Sequence, residues 1–596
     1  MVSILVGILT APILFFLPGY FWSLSLPWVR GFTVRLAVSL VTSVALGVLL
    51  SYGAALFDIP VGAALFAGLL LTSAGFGWTV RRRLFEAVSE WREVPRSEKM
   101  MAAGLVFLCV VAGIFVSLPH FGYPWPVHGD EWWSVGEVQN LLEGRSLDTH
   151  PYFLDPLTNY KPGLTAYLSG IFSLWRVDPV SAWAHLPGAN LFFIALISSL
   201  LLFSITRDKL VALAVPVFLA AVRSNAYMLG WWFFVPSTFA FLFIIPLVVT
   251  VPSWASNRRG VVWVLAIFGA LAAVYLPFAL FLALAFVPLF FFSLHGNARM
   301  IFSIAALMLF AALVFTGAEL SPYREYWRLS SLSAAEGWFA AFTTSFFVPI
   351  DATVHFAQSP GAVSVTGFGL LVFALVGVWK TWRSDWVRGL RWVLLAAAMN
   401  VTLVIFGGVS FLLFHQRAFH LFAAMAALWA VLGLAVLARE WYGWVTEKWG
   451  MRWRRTLVLV FAILTLSFVF FGYFRLPAGT SLYFLVNEND LVALRWLRGE
   501  PTLRGLKVVA DPDVGTIVTP LTRLVSKVTL RTGQNTSSVI NPASGRISFI
   551  ESTCEEKREY LTRMDADIAY TRTSQSCPFL EEIFNTEGVF IYRINK

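Results

Sequence analysis

The sequence predicts a polytopic α-helical membrane protein of about 14 spans with a C-terminal extracytoplasmic α/β domain. Three observations predict it. Hydrophobic types make up 58% of the 596 residues and charged types 13%, where a soluble domain carries about 25% charged residues. Apolar runs recur near the length of about 20 residues that a helix needs to cross hydrocarbon, as at 36–56, 101–118, 261–292 and 457–474. The last segment, 476–596, turns abruptly to charged, soluble patterning.

The loops set the orientation, because Lys and Arg favour the cytoplasmic side and acids hardly affect the bias. The richest basic loops are 81–99, 380–391 and 439–455, with smaller ones at Arg207 and Lys209, at Arg258 and Arg259, and at Arg299. All are assigned inside, as is the stretch holding Arg30 and Arg35. The loops 57–60, 119–164, 223–232, 319–362 and 411–417 are poor in Lys and Arg and fall outside. The alternation closes with about 14 spans, the count depending on whether 264–294 is one long helix or a pair around Pro277. The N-terminus and everything after Phe474 then lie outside. Residues 2–21 carry neither a basic n-region nor a small-residue cleavage pattern and read as a retained span.

Two domains follow: 1–475 in the membrane, and 476–596 as an α/β domain of about 120 residues, an ordinary size for an independent core. Within the second, 490–498 and 555–564 read as helices, and a third helix begins after Asp511-Pro512-Asp513. Strands are expected at 506–510, 527–531, 567–571 and 589–594. Asn535-Thr536-Ser537 is a glycosylation sequon. Of three cysteines, Cys109 sits in an apolar run as a packing residue, while Cys554 and Cys577 can form a disulfide if this domain is extracytoplasmic. The net charge of +10 lies beside the spans rather than on one stripe. No nucleic-acid motif occurs, and nucleic acid is not expected as a partner.

The outer loop 119–164 concentrates the polar chemistry. It reads His128-Gly129-Asp130-Glu131-Trp132-Trp133, then an amphipathic stretch to Gly144, then Asp148, His150 and Asp155, and ends on Tyr160-Lys161-Pro162-Gly163-Leu164. Trp132 and Trp133 are expected to anchor the segment at headgroup depth, with Asp130 and Glu131 where a lipid headgroup sits.

An Asp-Glu pair early in the first large outer loop, followed some thirty residues on by Lys-Pro, resembles the GT-C superfamily of glycosyltransferases. The nearest pattern is the protein mannosyltransferase and aminoarabinose transferase branch. There the second motif usually reads Glu-Lys-Pro-Pro-Leu. Lys161, Pro162 and Leu164 match it, and Tyr160 stands in place of the acid. The resemblance implies a GT-C-like plasma-membrane enzyme of cell-envelope glycan biosynthesis. It would move a sugar, hexosyl or pentosyl, from a polyprenyl-phosphate donor to a hydroxyl of a glycan, lipid or protein acceptor on the outer face. A hydroxyl needs a base; Asp130 suits that role with inversion at the sugar carbon, and Glu131 is orienting or structural. The leaving phosphate needs positive charge more than a proton, for which Lys161, Arg417 and Arg223 are the donor-phosphate candidates.

Each of these residues has a plainer reading. Lys161 and Arg223 can snorkel at an interface, and Arg417 can be a topological anchor. His128 and Tyr160 are site-lining candidates, as are His415 and His420, whose five-residue spacing suits a zinc pair poorly. No cofactor is certain; a divalent cation remains open, with no Asp-x-Asp on the outer loops. The segment 319–338, with Tyr323, Arg324, Tyr326, Trp327 and Arg328, reads as an amphipathic surface helix, and Asp351 and His355 share one helical face further along that loop. Two other classes compete: a polyprenyl-lipid flippase or transporter, and a membrane scaffold or sensor whose outer domain binds a partner. The near absence of acids within the spans argues against ion-coupled transport.

Overall fold

The structure is a computed structural model of the chain. It describes residues 2–93, 95–147, 149, 162–222, 231–251, 258–293, 347–349, 368–407, 409–413, 415–469, 486–510, 512–526 and 553–595. The surface helix expected at 319–338, Asp351, His355, the strand at 527–531 and the Asn535 sequon lie outside the described residues.

In chain order the helices are α1 (Val2–Phe15), α2 (Leu17–Ser25), α3 (Phe32–Leu56), α4 (Val61–Glu93), α5 (Arg96–Phe121), α6 (Gly129–Leu142), α7 (Pro162–Trp175), α8 (Pro179–Trp183), α9 (Leu186–Thr206), α10 (Lys209–Ala220), α11 (Pro236–Phe239), α12 (Phe241–Val249), α13 (Arg258–Ser293), α14 (Phe368–Thr381), α15 (Arg388–Gly407), α16 (His415–Val469), α17 (Glu488–Gly499), α18 (Pro512–Thr522) and α19 (Cys554–Arg563). Among the described residues eight helices are long and apolar enough to cross a membrane, from Val6–Ser25 to Arg417–Val445, and the chain is a multi-pass membrane protein. Three shorter apolar helices, Lys209–Ala220, Pro236–Val249 and Leu370–Thr381, accompany them. Part of the region from which 14 spans were expected, 294–346, lies outside the described residues.

Proline chemistry explains the breaks. The chain stops being helical at Phe16 (φ −136°, ψ −56°), two residues before Pro18, so the span expected at 2–21 is the broken pair α1 and α2. In α13 the break falls at Tyr275 (φ −155°, ψ 87°), two residues before Pro277. Pro277 lacks an N–H and its ring crowds the carbonyl four residues back, so one long helix becomes two halves joined at a kink. The opposite holds in α16. Two spans separated by a basic loop at 439–455 were expected, yet the helix runs unbroken through that segment, where no proline stands anywhere from 415 to 469.

The chain divides into two compact units. The first comprises Met1–Gly53, Ala63–Leu118 and Leu186–Ala478. It is held by close backbone approach, as expected where lipid removes the hydrophobic drive between helices. Gly377 of α14 and Gly433 of α16 face each other: a Cβ on Gly377 would overlap the Trp429 carbonyl, and one on Gly433 the Phe373 carbonyl. Gly113 of α5 and Gly188 of α9 meet in the same way. The Trp263 indole donates to Thr42 Oγ1 at 2.8 Å, joining α13 to α3. Cys109 is buried in α5, as a packing residue should be.

The second unit comprises Ala54–Gly62, Pro119–His185 and Gly479–Lys596. The segment that begins at Pro119 thus belongs to the same body as the C-terminal segment. Its five-stranded sheet contains β3 (Lys507–Ala510), β4 (Val525–Ser526), β5 (Ile568–Thr571), β6 (Leu580–Thr586) and β7 (Val589–Ile594), in the order β4-β3-β5-β7-β6. A separate two-stranded pair, β1 (Phe347–Pro349) and β2 (Val409–Phe411), lies in the first unit. β3 runs parallel to β4 and β5, with Val508 opposite Ile568 and Ala510 opposite Tyr570; β7 is antiparallel to β5 and β6. The central strands are buried on both faces and therefore read as continuous apolar runs.

Asp490 organises the start of α17. Its Oδ2 accepts from the Asn487 amide at 2.8 Å, and the Asn487 side chain accepts from the Asp490 amide at 2.8 Å, a reciprocal cap. The same carboxylate, fully buried, receives Tyr570 Oη at 2.7 Å and Arg572 Nη2 at 2.5 Å. Asp490→Ala leaves a guanidinium without its buried partner and is expected to cost about 3–5 kcal/mol. Denaturant titration of the purified protein checks this, and an Asp490→Asn variant should lose less, since one acceptor oxygen remains.

Candidate active site

The helix α6 begins at a cap built from the residues singled out by sequence. His128, in extended conformation (φ −118°, ψ 150°), is the N-cap. Its Nδ1 accepts from the Asp130 amide at 3.0 Å. Glu131 reaches back, and its Oε2 accepts from the amides of Val127 at 2.7 Å and His128 at 3.1 Å. This is a capping box with an imidazole in place of the usual hydroxyl. An acceptor Nδ1 cannot carry a proton, so the neutral ring holds its hydrogen on Nε2.

The two acids are thereby separated. Glu131 is fully buried and committed to two backbone donors. Asp130, one residue earlier, has a side chain 56% exposed, with Oδ2 3.7 Å from His128 Nδ1. It sits in the first turn, where the helix end favours negative charge. Glu131→Ala strips two buried amides of their partner and is expected to cost ~2–3 kcal/mol. A denaturation midpoint equal to wild type in that variant would remove the capping role.

The tryptophans also part company. Trp132 is fully buried inside the unit, so it is not the headgroup anchor expected of it; a side chain on that face of a helix packed inward has no lipid to meet. Trp133 is partly exposed. Its indole N–H donates to Glu137 Oε1 at 2.7 Å, and the buried Glu137 accepts Thr165 Oγ1 of α7 on its other oxygen at 3.2 Å. Ser169 of α7 donates to the Val138 carbonyl at 3.2 Å, fastening the two helices further along. Glu137 was not singled out by sequence; its spacing of seven from Asp130 was the available signal, since residues at i, i+3 or i+4, and i+7 share a helix stripe.

Two ties join α6 and its approach to the C-terminal fold. Tyr123 Oη accepts from the Val486 amide at 2.7 Å. Burial pushes the Tyr123 phenol well above its ordinary value, while that amide pulls the other way. At the far end of α6, Arg523 donates from Nη1 to Gln139 at 2.8 Å and pairs through Nε with Glu143 at 2.6 Å. Arg523 follows the end of α18 in the left-handed region (φ 69°). Burial lowers its pKa, and the Glu143 carboxylate opposes that shift. Arg523→Ala is expected to raise amide exchange over 139–143, measured by hydrogen–deuterium exchange, with Arg523→Lys restoring part of the protection because the point charge survives but the fork does not.

Of the other residues named from sequence, Tyr160, Lys161 and Arg223 lie outside the described residues, as do Asp148, His150 and Asp155. Pro162 opens α7 at its first position, where a missing N–H costs nothing. Arg417 is partly buried near the start of α16. His420, one turn on, is buried between the rings of Trp231, at 4.6 Å, and Phe241, at 4.8 Å. That is a packed aromatic setting. His415 is helical in the same element. Cys554 and Cys577 form a disulfide with Cα atoms 5.5 Å apart. Among the described residues no group of three or more His, Cys, Asp or Glu is arranged to hold a metal ion.

No protein-family model matches the chain, and no curated protein does. Among solved structures, it is similar to the archaeal oligosaccharyltransferase AglB from Archaeoglobus fulgidus in complex with an inhibitory peptide and a dolichol-phosphate, at 13% identity and a TM-score of 0.43 over 80% of this chain and 70% of that one. Two further structures of the Archaeoglobus fulgidus oligosaccharyltransferase, the apo form and a form tethered to an acceptor peptide containing the NVT sequon, match at 12% identity and a TM-score of 0.40 over 79% and 69%.

Proposed function

We propose that this multi-pass membrane protein is a glycosyltransferase that moves a sugar from a polyprenyl-phosphate donor to an acceptor hydroxyl, with Asp130 as general base. The observation that carries the reading is the division of labour at the start of α6. Glu131 and His128 are consumed in fixing the first turn, and they leave Asp130 presented outward on a rigid element. A base must be held within hydrogen-bond reach of the hydroxyl it deprotonates, and a capped helix end does this better than a loop.

The chemistry is a single displacement. The acceptor oxygen attacks the anomeric carbon, its proton passes to Asp130, and the bond to the carrier phosphate breaks with inversion. The leaving phosphate is already an anion and is helped by a cation. The sequence supplies Lys161, Arg417 and Arg223 for that task, and Arg is suited to it by its planar fork. The Cys554–Cys577 disulfide supports placing the C-terminal part of the chain in an oxidising, extracytoplasmic compartment.

The test is turnover of a radiolabelled polyprenyl-phosphate sugar by the purified, lipid-reconstituted protein, with the anomeric configuration of the product read by NMR. Release or transfer of the sugar with inversion supports the reading. Carrier binding without turnover by any glycan, lipid or peptide acceptor sinks it in favour of a flippase or scaffold.

A further inference from the structure

We infer that Trp133 is a carbohydrate-stacking platform, a rigid indole on which the ring of a pyranose rests while Asp130 accepts from one of its hydroxyls. The inference rests on the sugar-transfer reading for the class of ligand and on the following geometry for the site.

Helix α6 is buried almost all round. From Glu131 to Asn140 every residue is buried except Trp133, and Asp130 is the exposed residue just ahead of it. Asp130 and Trp133 are three apart, so they are neighbours on one face, with Cβ atoms about 5–6 Å apart. The open face of this helix start is therefore a carboxylate beside an aromatic ring. Those two groups meet the two aspects of a sugar: hydroxyls that donate, and a face of C–H bonds whose positive edge suits the negative face of a π system.

The indole is also held. Its N–H donates to Glu137 Oε1 at 2.7 Å, and Glu137 is itself buried and tied to Thr165 at 3.2 Å on the adjoining helix. Burying a carboxylate is costly unless its oxygens are satisfied. Here the satisfied acid fixes the rotamer of a half-open tryptophan, which a mere interface anchor does not require. The neighbouring Trp132 supplies the contrast, since its ring is wholly internal. A platform fixed in advance loses little entropy when a ligand settles on it.

The experiment is saturation-transfer-difference NMR on the full-length protein in nanodiscs, with methyl α-mannopyranoside and methyl β-glucopyranoside as probes. It is run beside the turnover assay for wild type, Trp133→Leu, Trp133→Met and Glu137→Gln. Wild type is expected to saturate the C–H protons of one ring face. Trp133→Leu should weaken glycoside binding ~3- to 10-fold, the scale of an aromatic contact, and raise KM for a glycan acceptor more than it lowers kcat. Glu137→Gln, which replaces the carboxylate that holds the indole N–H with a neutral amide, should weaken glycoside binding less than Trp133→Leu does. If Trp133→Leu fails to fold, Trp133→Met, which fills space without a π face, carries the same expectation.

Saturation that is absent in wild type, or unchanged in the Leu or Met variant, overturns the inference. So does a loss confined to quenching by brominated lipids, which makes Trp133 a membrane anchor. Saturation lost in the variants of a protein that turns over no donor keeps the platform and rejects the transfer reading, so the two fail separately.

Discussion

Asp130→Asn is expected to lower sugar transfer by ~10²- to 10⁴-fold, the usual contribution of a positioned general base, while leaving the fold intact. The substitution is nearly isosteric and the side chain is exposed. The backbone amide of Asp130, which closes the cap on His128, is untouched by it. The loss should fall on kcat, with donor binding retained, because the base acts on the acceptor proton in the transition state. Glu131→Gln is the matched control. Its amide oxygen still accepts from the Val127 and His128 amides, so activity should fall far less than for Asp130→Asn. A single-turnover measurement in which Asp130→Asn transfers at the wild-type rate removes Asp130 from the chemistry, whatever the fate of Trp133.

The second large effect is structural and lies in the first unit. Gly433→Val is expected to destabilise it by about 3 kcal/mol or more, because overpacking at a backbone contact leaves no side chain to yield. A Cβ there meets the Phe373 carbonyl, and the facing Gly377 is in the same position against Trp429. Fluorescence-detected size exclusion after a thermal ramp in detergent measures the shift. Gly377→Ala and Gly433→Ala should both lower the midpoint, and the pair should fall short of additive because they separate the same two helices. A Gly433→Val protein that is monodisperse at the wild-type midpoint removes close packing as the basis of that contact.

Much of the architecture was legible before any coordinates. Apolar runs announced the membrane helices, since bilayer thickness imposes one length on every span. The strands at Lys507–Ala510, Ile568–Thr571 and Val589–Ile594 were legible because both-face or single-face burial leaves a periodic trace. β6, Leu580–Thr586, was missed for the complementary reason. It is an edge strand with two glutamates at its start and a bulge at Glu582 and Phe584, and charges on an edge erase the apolar alternation. The unbroken α16 is not legible because the basic residues at 439–455 read as a loop between two spans, whereas positive charge alone does not end a helix that lacks proline.

The Asp130 and Glu131 pair shows the same boundary at finer scale. The sequence by itself determined that a hydrophobic multi-pass chain carries two adjacent acids, two tryptophans and a Lys-Pro motif within one stretch of some forty residues, because those facts are composition and order. Which acid is buried, which tryptophan faces out, and that Glu137 and Thr165 stand behind that tryptophan were decided only by tertiary structure. Adjacent residues on a helix point about 100° apart, so neighbours in sequence meet different surroundings once the helix is packed. Glu131 went inward to the amides of its own cap, and Asp130 stayed outward.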